Sequence, residues 1–144
     1  MKSDIEVGQV LALKIRFNNN GDVARSAHPY LVVDLEEDLE VVEIAQIDSL
    51  DGKKWKAFRR SNKVIYCTDP TETVIDKDSY VQLDNTLRVE DFSGLERFRR
   101  QTDKLSAGKL ADVLRAYRDY HATHEIDEAK NVYMDRQEIL ELNT

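Results

Sequence analysis

The sequence predicts an α+β fold: a sheet of short strands followed by helices. Two observations predict it. In the first half, apolar side chains come in short runs or alternate with polar ones, and turn-forming clusters separate them. Beyond Ser106 the apolar spacing switches to three and four, the helical repeat. A chain of 144 residues, 41% of them hydrophobic, can bury one ordinary core and is too short for two.

The first strand is expected where Leu11, Leu13, Ile15 and Phe17 alternate with Lys14 and Arg16. NNNG, 18–21, is a turn-prone cluster that ends it. Tyr30–Val33 reads as a second strand and Leu39–Ile47 as a third. The acidic DLEEDLE between them reads as a solvated hairpin. Residues 48–62 read as a long loop. Val64–Cys67 makes a fourth strand, stopped by Asp69-Pro70, and Tyr80–Leu83 a fifth. Short strands joined by turns suggest a small barrel or a strongly bent sheet.

Phe92–Arg100 fits a short helix. Ser106 is placed to N-cap a longer one carrying Leu110, Val113, Leu114 and Tyr117 on one face. Thr123 is placed to cap a last helix. Glu125, Asp127 and Glu128 would lie at its positive end, with Ile126, Ala129, Tyr133 and Leu140 as its apolar stripe. The expected organisation is a barrel with its helix over 1–123, and an additional C-terminal helix over 124–144 packed on the domain or dimer.

The chain carries 28 acidic and 21 basic residues, a net charge of -7. That balance disfavours general coating of nucleic acid, which needs clustered cations, but it leaves room for a local basic patch. A single cysteine, Cys67, excludes an internal disulfide framework and a cysteine-based zinc site. The polar start MKSDIEVGQV has no signal-peptide apolar core, and no apolar run reaches membrane-spanning length. A cytoplasmic protein is expected.

Three places could carry chemistry. The first is DGKKWKAFRRSNK, 51–63. Lys53, Lys54, Lys56, Arg59, Arg60 and Lys63 are all basic, with Trp55 and Phe58 among them. Cations attract phosphates and aromatic faces stack unpaired bases, so the loop suits an unpaired nucleic-acid strand. It equally suits a solvated loop with two aromatics tucked onto the core. The second is His28, able to move a proton near neutral pH, with Arg25 nearby to hold a phosphate. A histidine there is also an ordinary residue at a strand entrance. The third is Asp48-Ser49, able to bond a ribose or simply to form a turn. His121 and His124, three apart, lack an evident third ligand, and no metal site is expected.

Taken in order, these pieces resemble the PemK/MazF family of toxin endoribonucleases. VGQVLALKIRF is similar to the family's first strand. HPYLVV resembles its Arg-Pro-x-Leu-Val-Ile strand, and LEVVEIAQIDS the strand ending Ile-Thr-Ser. SYVQLDN is similar to Ser-Tyr-Val-x-Leu-Asp-Gln, and DKLSAGKLADVLRAYRDYH to the Gly-x-Leu-Ser-x-x-x-Leu helix. The resemblance covers residues 6 to about 121. It implies an SH3-like β-barrel of about five to seven strands with appended helices, usually a homodimer. It also implies a toxin of a type II toxin–antitoxin system, with RNA as substrate, an antitoxin protein as partner and no cofactor or metal.

The departures fall at the chemically important positions. His28 stands where the family has its catalytic arginine, and Asp48 where it has a catalytic threonine, with Ser49 next. Asn85 replaces the glutamine, and Val23 and Ala24 replace a polar pair. Family members cleave RNA by attack of the ribose 2′-oxygen on the adjacent phosphate. Histidine suits that proton transfer better than arginine, whose pKa lies above about 12. The expectation is therefore a catalytic set of His28, Asp48, Ser49 and Arg25. RNA would be held by Asn85 and by Lys53, Lys54, Trp55, Lys56, Phe58, Arg59, Arg60 and Lys63. The alternative is an inactive barrel that binds protein or nucleic acid, with Asp48 repelling RNA.

Overall fold

A computed structural model describes residues 2–68 and 70–144. The predicted stop at Asp69 lies outside the described residues. Among the described residues the fold is α+β, a mainly antiparallel sheet of seven strands with two α-helices. The strands are β1 (Val10–Leu13), β2 (His28–Glu36), β3 (Val41–Ser49), β4 (Asn62–Ile65), β5 (Ser79–Gln82), β6 (Thr86–Glu90) and β7 (Asn131–Met134). The helices are α1 (Ala107–Thr123) and α2 (Arg136–Asn143).

The long strand β3 organises the sheet. One of its edges pairs with β2. The other pairs first with β6 through Val41–Ile44 and then with β5 through Ile47–Ser49. Sharing one strand between two ladders bends the sheet. Among the described residues the ladders do not close: β1, β4 and β7 each pair with a single neighbouring strand.

Both faces of the bent sheet are covered, so its strands read as apolar runs. Alternation sends Leu11, Leu13, Tyr30, Val32, Val42 and Ile44 to one face, where they pack with Val132, Met134 and Ile139 of the C-terminal segment. Val10, Leu31, Ala45, Ile47 and Val81 go to the other, under Val113 and Tyr117 of α1. Tyr117 also donates to the buried carboxylate of Glu43, which Arg88 bonds from β6. Burial and then that carboxylate push the Tyr117 phenol well above its ordinary value, so it keeps its proton as the donor. Gly8 lets α1 approach closely: its φ is +98°, and a Cβ there would come within 2.8 Å of Leu110.

Several elements differ from the sequence expectation. Phe92–Arg100 is only a 3-10 turn over Leu95–Phe98. Leu39 lies in a 3-10 turn (Glu37–Leu39) rather than in a strand, and β2 runs on through much of the expected hairpin. Ser106 does precede α1, but its side chain makes no cap; its backbone N–H bonds Glu72 instead. The largest difference is after α1. Thr123 caps no helix. Residues 131–134 form β7, parallel to β6, which buries Val132 and Met134 and leaves Tyr133 half exposed. The last helix starts only at Arg136, capped by the Asp135 carboxylate on the Glu138 N–H. The stripe Ile126, Ala129, Tyr133, Leu140 therefore never shares one helix.

The C-terminal segment is tied to the β1–β2 loop. Arg16 bonds the Glu138 carboxylate and the Tyr133 carbonyl, while Asn19 bonds the Glu128 and Asn131 carbonyls. Among the described residues, no helix is long and apolar enough to cross a membrane.

Candidate active site

His28 opens β2 and pairs with Leu13 of β1. Tyr30 pairs with Gln46 across the β2–β3 ladder. His28 and Asp48 lie two residues beyond that last pair of the ladder; by alternation they belong to its face, both line one groove, and the charge of His28 bears on the Asp48 carboxyl. Asp48 in turn pairs with Tyr80 of β5, and Tyr80 with Val64 of β4. A row of side chains thus crosses the sheet on the face of Leu13 and Tyr30, with His28 and Asp48 adjacent in it.

The two polar members of that row differ in their bonding. Among the described residues, the His28 ring has no hydrogen-bond partner, which leaves both ring nitrogens available. Asp48 is held: it accepts from Lys53 Nζ at 2.6 Å and from the Ser49 N–H at 2.8 Å. Partial burial pushes the Asp48 carboxyl up. The Lys53 bond, the Ser49 N–H and the charges of Lys53 and His28 outweigh it and hold the pKa below its ordinary 3.8. Asp48 is thus an anion with its own counter-ion, and its field reaches His28.

Because the folded pKa is depressed, the stability that Asp48 contributes is complete above the ordinary value. It is lost as the pH falls through the lower folded one. Lys53→Ala is expected to raise the Asp48 pKa toward or past 3.8, read by carbon NMR of the carboxyl. An unchanged titration would show that Lys53 does not set it.

The basic loop continues from this row. Lys54–Phe58 is a 3-10 turn. Lys56 donates to the Tyr80 hydroxyl at 3.1 Å and lies 5.3 Å over its ring. Arg59 stacks over Trp55 at 4.7 Å. Trp55 is 55% exposed and Phe58 89%, so neither is tucked onto the core. Lys54, Arg59 and Arg60 are exposed, and Lys63 is half-buried in β4. The order His28, Asp48–Lys53, Tyr80–Lys56, Trp55–Arg59 is one continuous strip.

Other predicted residues fall elsewhere. Ser49 follows Asp48 by one and so faces the opposite side of the sheet, paired with Ser79; its hydroxyl accepts from the Asp51 N–H. It lines a groove of 490 Å³ with Ser79, Val74 and Arg100, which His28 and Asp48 also reach where the sheet ends. Arg25 is exposed in the bend before His28 and does not line that groove. Arg100 does, and it is an exposed cation with no ion pair among the described residues. Its signal is absent from the sequence because it arrives by long-range pairing: the Arg100 N–H bonds the Val10 carbonyl. Asn85 lies past β5 in a separate groove with Lys56 and Arg59.

His121 and His124 do not converge. His121 stacks on Tyr117 and bonds the Leu83 carbonyl, and His124 stacks on Tyr120. Carboxylates of Asp34, Glu36 and Glu43 do cluster within 4.8 Å, but Arg88 ion-pairs with two of them. No family model matches the chain, and no curated protein does.

Proposed function

We propose that the protein is an endoribonuclease, the toxin half of a type II toxin–antitoxin pair, cutting RNA without a metal in the cytoplasm. The observation that carries this reading is the imidazole of His28, without a hydrogen-bond partner among the described residues, in the groove that Asp48 also lines, at the head of the cationic, aromatic strip. In the reaction His28 accepts the 2′-hydroxyl proton. The 2′-oxygen bonds the phosphorus, the bond from phosphorus to the 5′-oxygen breaks, and water protonates the leaving oxygen. Charge gathering on the phosphoryl oxygens faces Lys53 and Arg100. Asp48 stabilises the imidazolium that forms, while its pairing with Lys53 reduces its repulsion of the polyanion. Trp55, Phe58, Arg59 and their neighbours hold the single strand.

The strand shared between two ladders supports a barrel of the SH3-like kind, opened at one seam. A homodimer and an antitoxin with acidic segments suited to the exposed loop complete the proposal. Induced expression in a bacterium without the antitoxin is expected to arrest growth and to yield RNA fragments with 5′-hydroxyl ends. Normal growth with intact RNA, despite accumulation of folded protein, favours an inactive binding module.

A further inference from the structure

The basic loop carries two aromatic rings in different states. Trp55 already has partners: the Arg59 guanidinium lies over its ring at 4.7 Å and the Lys56 ammonium at 5.5 Å. Phe58 has none. Among the described residues its ring makes no aromatic or cation contact, and at 89% exposed it is the barest of the large apolar side chains. Phe58 is the face of the loop open to a new partner, while Trp55 braces Arg59.

The backbone on both sides of Phe58 is fixed in advance. Lys56 is anchored through its ammonium on the buried Tyr80 and through its carbonyl, which accepts from the Asn62 amide at 3.0 Å. The Arg59 N–H bonds the Lys56 carbonyl, and the Arg59 carbonyl accepts from the Asn62 N–H. Exposed cations flank the ring: Lys54, Arg59 and Arg60. The acids nearest in sequence, Asp48 and Asp51, are committed to Lys53 and Lys77. An acidic peptide would satisfy the cations alone. An unpaired nucleic-acid strand repeats an anion and a flat ring together, and so matches both features of the loop.

We infer that Phe58 is the base-stacking residue of the RNA site, taking one unpaired base, while the Trp55–Arg59 pair holds a neighbouring phosphate. The RNA context comes from the proposed function; strand binding is scored without cleavage. Lys56 rests on Tyr80 of β5, one strand beyond Asp48, so the stacked base lies away from the cut. Every base has a stacking face. Phe58 therefore sets the affinity and placement of the strand rather than the sequence that is cut.

The test is fluorescence anisotropy of the full chain with a short 2′-O-methyl oligouridine, whose blocked 2′-oxygen cannot attack, and with an equally long strand lacking bases. Phe58→Leu keeps the apolar bulk and removes the flat ring; Phe58→Tyr keeps the ring. Oligouridine is expected to bind Phe58→Leu about five-fold or more weakly than the wild type, and Phe58→Tyr about equally. The baseless strand should bind all three proteins alike. Arg59→Gln should flatten the fall of log affinity with log salt by about 0.7, the share of one phosphate on a single strand, and Phe58→Leu should leave that slope unchanged.

Full affinity of Phe58→Leu for oligouridine, or an equal loss on the baseless strand, would overturn the stacking role even where RNA is cut. An unchanged slope with Arg59→Gln would overturn the phosphate role. A folded wild type that binds neither strand would overturn both. Base-dependent binding by a protein that leaves ordinary RNA intact would sink the nuclease reading and keep the Phe58 site.

Discussion

A chain ended after Thr123 is expected not to fold. The removed segment holds Val132, Met134 and Ile139, all at most 2% exposed in the core. Fully burying such a side chain contributes about 1.5–3 kcal/mol, so the three together contribute roughly 5–9 kcal/mol. That is comparable with the whole stability of a domain, about 5–15 kcal/mol. Truncation would also bare the edge of β6, uncover Leu87 and Val89, and remove the partners of Arg16 and Asn19. Circular dichroism should show loss of a cooperative melt, and proton–nitrogen spectra should collapse. A truncated chain melting within a few degrees of the full one would show that β7 and α2 are accessory. The same expectation means that truncation does not isolate the role of this segment in oligomerisation; point substitutions on its exposed face, such as Tyr133→Ser, are the cleaner probe.

His28→Ala is expected to lower RNA cleavage by about 10²–10⁴-fold, the usual contribution of one general acid–base group. The change removes the one imidazole of the strip, the side-chain type suited to general acid–base work. It should leave folding intact, because His28 is only partly buried and its ring makes no hydrogen bond among the described residues. RNA binding should survive, since the cations and exposed aromatics of the loop remain. The readout is therefore a drop in turnover with little change in affinity. A parallel loss of binding would assign His28 a contact role instead.

The strands were legible where burial follows the backbone period. Leu11 and Leu13, Tyr30 to Val33, and Tyr80 with its neighbours lie in strands near their predicted positions. The helical stripe of α1 was legible too, with Val113 and Tyr117 buried under the sheet. β6 and β7 were not. TLRVE carries too mixed a pattern to announce a strand, and β7 is a strand only because β6 lies parallel beside it. Val132 and Met134 alternate, but Ile126, Ala129, Tyr133 and Leu140 also match a helical repeat, and four residues cannot decide between the two periods.

The candidate residues were legible as types, not as neighbours. The nearness of His28 to Asp48 depends on the β2–β3 ladder, which ends at Tyr30 and Gln46, between segments twenty residues apart. The same register separates Asp48 from Ser49, adjacent in sequence and opposite in face. Arg100 reaches the groove by pairing between distant segments, its N–H on the Val10 carbonyl, which local patterns do not encode.

The most direct measurement is the rate and end chemistry of RNA cleavage by the purified full-length chain in EDTA, with His28→Ala prepared in parallel. The expected result is fragments ending in 2′,3′-cyclic phosphate and beginning with 5′-hydroxyl, nearly absent with the variant. Intact RNA with the folded wild-type protein, or equal cleavage by both proteins, would contradict a nuclease built on His28.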